Sequence, residues 1–171
     1  MNTSPITFEF LSGFGFDVHA LKPVNHDHFI MLCGVPVACK YELIAHSDGD
    51  VALHSLVDAL LGAIGCGDIG EHFPPTDLKW KNADSSKFVE YALTRCREKN
   101  AILVNIDITL ICEHPKILSY KNSMRDKLST LLQLNSERIN IKATTTEKLG
   151  FLGRSEGIAA QTIVSVKRAM Q

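Results

Sequence analysis

A chain of 171 residues suffices for one domain with its own core, and 45% apolar with 22% charged residues is the balance of a globular protein. The formal net charge of −1 excludes nucleic acid or a membrane surface as a partner held by bulk charge, so an anionic substrate must be held by local groups and metals. No apolar run reaches the roughly 18 residues of a membrane span, and residues 1–12 lack the charged and apolar regions of a signal peptide.

These features suggest a single domain over 1–171, with 1–12 a variable N-terminal extension. They suggest a cytoplasmic chain, or one from which a targeting segment has been removed. The five cysteines (Cys33, Cys39, Cys66, Cys96, Cys112) form no Cys-x-x-Cys, and Cys33 and Cys112 fall in apolar runs. That pattern fits reduced core thiols better than a disulfide framework.

In chain order, residues 7–20 read as a first strand and His28 to Val37 as a hairpin broken at Gly34 and Pro36. A helix is expected from Asp48 to Ile64, capped by Ser47 or Asp48, with Leu53, Leu56, Val57, Leu60, Leu61 and Ile64 on one face. A glycine-rich loop from Gly65 leads through Pro74-Pro75. A second helix capped by Asp84 or Ser85 runs to Lys99 with Phe88, Ala92 and Cys96 inward. Residues 101–112 alternate as a strand, Val104, Ile106, Ile108 and Leu110 to one side. After a break at His114-Pro115-Lys116 come a helix over 119–134 and strands over 138–144 and 157–168. The order implies an α+β sandwich, one mixed sheet with helices on one face.

Asp17 and His19 are two apart, so on a strand a carboxylate and an imidazole share one face. His54, on the first helix, is a third candidate. One carboxylate and two imidazoles leave a coordination position open, the mark of catalytic zinc. Asp50 and Asp58, one helical turn either side of His54, are candidates to accept its second ring N–H. The competing reading makes Asp17–His19 a polar pair at a strand end and His54 a surface histidine. His26, His28, His72 and His114 read as loop residues without ligand duty.

Asp68 in Gly67-Asp68-Ile69-Gly70, and Glu147, are candidates for a harder ion such as Mg²⁺ held with substrate phosphates; the alternative is a helix cap and a solvated charge. His46-Ser47 precedes a helix N-terminus, which favours anions. Thr144-Thr145-Thr146-Glu147-Lys148 follows a strand and offers hydroxyls and an ammonium, or is simply turn chemistry.

Together Gly15-Phe16-Asp17-Val18-His19, the block His46 to His54, Asp58 to Ala63, Gly67 to Gly70 and Lys142 to Phe151 closely resemble the 2-C-methyl-D-erythritol 2,4-cyclodiphosphate synthase family, in order over about Gly13 to Ala169. The resemblance implies a homotrimer with active sites between adjacent subunits. It implies zinc on Asp17, His19 and His54, and Mg²⁺ or Mn²⁺ at the diphosphate with Glu147 contributing. It implies that His46 and Thr145 stabilise the transition state. Ser47, Asp68, Ile69, Gly70, Phe73 and Asp77 would then line the methylerythritol and phosphate part, with Asp17, Val18, His19 and His46 also binding substrate. The cytidine would sit on Cys112 to Leu118, which includes Lys116, Ile117 and Leu118, and on Thr144, Thr145, Thr146 and Glu147. Phe151 and Arg154 would add contacts, Arg154 near the trimer axis.

Two departures stand out. Pro75 replaces a family Asp and removes a carboxylate and a backbone donor, while Asp77 remains. Cys112-Glu113-His114 replaces residues that are commonly small or neutral. The implied reaction is intramolecular phosphoryl transfer, in which a cytidine-diphosphate methylerythritol 2-phosphate closes on itself and releases CMP. A zinc phosphohydrolase and a non-catalytic nucleotide-binding homologue are the rival readings.

Overall fold

The computed structural model describes residues 6–45, 47–74, 76–80 and 83–170; His46 and Pro75 therefore lie outside the described residues. Five strands form one mixed sheet in the order β2-β1-β5-β3-β4. They are β1 (Phe8–Leu32), β2 (Val35–Ile44), β3 (Ile102–Ile111), β4 (Ile139–Thr144) and β5 (Gly157–Ala169). Only β3 and β4 pair in parallel. The helices are α1 (Val51–Ala63), α2 (Ile69–His72), α3 (Ser86–Glu98), α4 (Lys121–Leu132) and α5 (Gly150–Gly153). The α+β class and the single mixed sheet agree with the expectation from the residue pattern.

The expected first strand and the outer arm of the hairpin are one strand of 25 residues. Its first half, Phe8 to Ala20, pairs with β5, and its second half pairs with β2, with an irregularity between Pro23 and His28. The hairpin turn falls on Cys33-Gly34, both at positive φ, with Leu32 opposite Val35. Two such residues form the turn that matches the natural strand twist. Pro36 does not break the hairpin. It sits within β2, the edge strand, where a missing N–H costs no ladder bond on the open side.

α1 lies on β1 and β5 and is buried along almost its whole length. Close contact is possible because Gly13 and Gly15 face it. A Cβ on Gly15 would stand 1.9 Å from the Ser55 carbonyl oxygen, and one on Gly13 1.9 Å from that of Ala59. The core gathers Leu53, Leu56 and Leu60 of α1, Ile106, Ile108 and Leu110 of β3, and Met124 and Leu128 of α4. Burial of these side chains supplies most of the drive to fold.

α1 begins later than its expected start near Asp48, and its cap is Asp50 rather than Ser47 or Asp48. The reason is long-range. The buried Asp50 carboxylate accepts the N–H groups of Ala52 and Leu53 in α1 and also those of Cys33 and Gly34 in the hairpin turn. One carboxylate therefore ties the helix start to the hairpin.

Candidate metal and phosphate site

Gly13, Gly15, Asp17 and His19 alternate along one face of β1, the face covered by α1. The two glycines admit α1 closely, and one turn into that helix His54 meets the Asp17–His19 pair. His19 Nε2 lies 3.1 Å from His54 Nδ1, His54 Nδ1 lies 3.0 Å from Asp17 Oδ2, and Asp17 Oδ2 lies 3.2 Å from His19 Nε2. Among the described residues this is the one group of three or more such side chains whose donor atoms converge. Val18 N–H donates to the other Asp17 oxygen, Oδ1, at 2.8 Å, which fixes the carboxylate.

The protons decide what this triangle can hold. Ser85 Oγ bonds to Asp48 Oδ1, a carboxylate that only accepts, so Ser85 donates there. Ser85 Oγ must then accept from His54 Nε2, 2.8 Å away, with Ser47 Oγ at 3.1 Å. A neutral His54 with its proton on Nε2 turns a bare lone pair from Nδ1 into the triangle. Burial pulls His19 below the ordinary imidazole range; Asp17 opposes that shift and His54 adds to it. Three donor atoms thus converge on one point, an arrangement suited to a cation. Tetrahedral ligands at 2.0–2.2 Å from zinc stand about 3.4 Å apart, close to the edges found here. The residues fit a zinc ion.

Asp50 and Asp58 do not serve His54 as expected. Asp50 is taken up by its cap, and Asp58 Oδ1 accepts Ile69 N–H at 2.8 Å. Ser85 does that work. It stands 31 residues along the chain, and local spacing marks it only as a helix start.

The remaining candidates fall into three segments. Ser47 lies at the His54 ring, and Asp68, Ile69, Gly70, Phe73 and Asp77 follow on the loop after α1. Asp68 caps α2 by accepting Glu71 N–H. Lys116, Ile117 and Leu118 follow β3, where Ile117 is buried and Leu118 exposed. Thr144 ends β4, and Thr145, Thr146 and Glu147 form an exposed turn in which Thr145 Oγ1 donates to Glu147 Oε1 at 3.3 Å. Glu147 and Lys148 both adopt positive φ, an unfavourable conformation for residues with a Cβ. Glu113 accepts Lys148 N–H at 3.2 Å and links this turn to the 112–118 loop. Phe151 is exposed beside the start of β5, and Arg154 forms a two-bond pair with Glu156.

These segments do not all meet in one chain. Val18, Ala159, Ile111 and Thr144 occupy one row across β1, β5, β3 and β4. Three strand spacings put Thr144 roughly 14 Å from Val18. The metal triangle and the threonine turn stand on different parts of the sheet.

The model of the YgbB family matches residues 10–167. A 2-C-methyl-D-erythritol 2,4-cyclodiphosphate synthase of Ehrlichia ruminantium is 52% identical over 158 residues, covering 91% of each chain. The structure of the bifunctional IspDF from Campylobacter jejuni superposes with a TM-score of 0.89 at 46% identity, covering 95% of this chain and 43% of that one. IspF of Plasmodium falciparum in complex with CDP superposes at 0.80 with 32% identity, covering 92% and 95%. The chain thus spans 43% of the length of such bifunctional relatives and nearly all of the single-activity ones.

Proposed function

We propose that this chain, which belongs to the YgbB family, is an enzyme of the non-mevalonate isoprenoid pathway made of a single cyclodiphosphate synthase domain. Its substrate is 4-diphosphocytidyl-2-C-methyl-D-erythritol 2-phosphate. The 2-phosphate oxygen attacks the β-phosphorus, the bond to the CMP oxygen breaks, and 2-C-methyl-D-erythritol 2,4-cyclodiphosphate and CMP leave. This is a phosphorus–oxygen lyase reaction.

The observation that carries the reading is the triangle of Asp17 Oδ2, His19 Nε2 and His54 Nδ1 with edges of 3.0–3.2 Å. Those residues would hold zinc, and Glu147 would contribute to a site for Mg²⁺ or Mn²⁺. Bound there, the two ions would supply positive charge to offset the repulsion between the attacking phosphate and the diphosphate.

The chain's own residues position the substrate. Ser47, Asp68, Ile69, Gly70, Phe73 and Asp77 bind the methylerythritol and phosphate part. Lys116, Ile117, Leu118 and the Thr144–Glu147 turn hold the cytidine end, with Phe151 and Arg154 as further contacts. His46 and Thr145 stabilise charge as the ring closes. The attacking phosphate is already ionised at neutral pH, so no residue need serve as a strong base. Folding the substrate back on itself makes positioning a large part of the rate.

The assembly is a homotrimer with sites between copies. Two observations support it. The sheet face away from the helices exposes Phe8, Phe10, Phe14, Phe16, Val18 and Ile163, a patch of the kind that subunits cover. The separation of Thr144 from Val18 leaves each chain with two part-sites, and a neighbouring copy brings unlike parts together. Location in a bacterial cytoplasm, or in a plastid after loss of a transit peptide, completes the reading.

The test is incubation with the cytidine-diphosphate substrate, with Mg²⁺ and in parallel with a chelator, followed by phosphorus NMR. A metal-dependent cyclic diphosphate with equimolar CMP is expected. CMP with a linear bisphosphate identifies a hydrolase instead, and no turnover with zinc bound identifies a binding protein.

A further inference from the structure

The loop after α1 carries Asp68, Ile69, Gly70 and Phe73, yet α2 within it is only four residues long. So short a helix does not sustain itself. Side chains hold it. Ile69 N–H is tied to Asp58 of α1. His72 makes two further bonds: Nε2 lies 2.7 Å from the Cys66 carbonyl oxygen, and Nδ1 lies 2.9 Å from Oη of Tyr91 in α3. The carbonyl only accepts, so Nε2 carries the ring proton and donates it. Nδ1 then accepts the Tyr91 hydroxyl. One tyrosine hydroxyl thus sets the ring that closes the loop upon Cys66.

The next residue is held by the same tyrosine. The Phe73 ring stands 5.1 Å from that of Tyr91 and 4.5 Å from that of Phe88. Phe88 in turn lies 5.9 Å from the His54 imidazole. Packing therefore runs without a break from the metal triangle to the outer end of the loop. Such aromatic contacts add to burial energy and restrict geometry.

We propose that Tyr91 is a positioning residue for substrate binding. Through its bond to His72 and its ring against Phe73, it holds the Asp68–Phe73 segment in the conformation that receives the methylerythritol phosphate part. The proposal rests on the reading of that segment as substrate-binding. The chain's single tryptophan, Trp80, stands edge-on to Phe73 at 4.9 Å and reports on the segment without any need for turnover.

The experiment uses the full chain loaded with zinc and Mg²⁺. Wild type, Tyr91→Phe, His72→Leu and His72→Gln are compared by CMP release, by acrylamide quenching of Trp80 and by thermal unfolding. Loss of one such hydrogen bond predicts that Tyr91→Phe raises KM about three- to tenfold, with kcat within about twofold of wild type. Trp80 quenching rises with it. His72→Leu gives the same pattern, and His72→Gln, which keeps a donor and an acceptor, restores KM.

Unchanged KM in both Tyr91→Phe and His72→Leu overturns the proposal, as does a fall in melting temperature with KM and quenching unaltered. If Tyr91→Phe fails to fold, the two His72 variants decide alone. A wild-type protein that releases no CMP overturns the proposed reaction. A wild type that turns over, with variants matching its KM, overturns only the role of Tyr91.

Discussion

Ser85 accepts a hydrogen bond from His54 across 2.8 Å and donates its own hydroxyl hydrogen bond to Asp48. This relay orients the imidazole and fixes which nitrogen is free for a metal. Partners of this kind change metal affinity about 10- to 100-fold when removed. Ser85→Ala is expected to weaken zinc by that order, measured by competition with a chromophoric chelator. An affinity equal to wild type would show that Ser47, 3.1 Å from the same nitrogen, suffices alone.

Asp50 should leave a mark on the pH dependence of stability. Burial pushes its carboxyl up to about 6, against the pull of the N–H groups it accepts, from an ordinary value of 3.8. The folded state thus holds the proton more tightly than the unfolded chain. The associated stability is fully present below pH 3.8 and is lost as pH rises through about 6, a fall on the order of 3 kcal/mol. Asp50→Asn removes this titration. The difference in unfolding free energy between wild type and variant should shift against the wild type from pH 4 to pH 6.5 in urea titrations; a constant difference would contradict the shifted carboxyl.

Gly15 is required by contact rather than by a turn. An alanine there places its Cβ 1.9 Å from the Ser55 carbonyl oxygen and 2.8 Å from Ala59 N. The helix backbone cannot yield without moving His54 away from Asp17 and His19. Gly15→Ala is expected to cost about 3 kcal/mol or more. Chemical denaturation checks the stability, and zinc content after dialysis checks the geometry. A variant as stable as wild type would mean that α1 shifts freely.

Phe14 lies on the bare sheet face, 59% exposed, with Ile163 opposite it on β5. A carboxylate at that place would be buried against a neighbour in a trimer. If the chain assembles as the proposed homotrimer, Phe14→Glu should convert a three-chain particle to single chains in light scattering, with far-UV circular dichroism unchanged. A mass unaffected by the substitution would point to a different contact face.

Much of the arrangement is legible in local pattern, because strands and helices impose fixed periods. Asp17 and His19 share a face by the two-residue period, and the apolar spacing of Leu53, Leu56 and Leu60 sets His54 on a helix packed against that face. What escapes local reading depends on partners distant in sequence. Asp50 reads as a neighbour of His54, but it is claimed by the hairpin turn at Cys33 and Gly34. Pro36 reads as a breaker, but an edge position removes the penalty. Ser85 reads only as a helix start, and Tyr91 and His72 carry no signal in their spacing, because their contacts arise only when α3 folds back over the loop after α1.

The row from Val18 across Ala159 and Ile111 to Thr144 has a genetic consequence. If each centre draws its metal half from one chain and its threonine half from the next, two dead variants can rescue one another. A chain lacking His54 still lends its threonine turn, and a chain lacking Thr145 still lends its metal triangle. Random co-assembly of the two in equal amounts rebuilds about a quarter of the centres in a closed ring. Crippled alleles at these two places would then restore activity to each other in one cell, although neither is active alone.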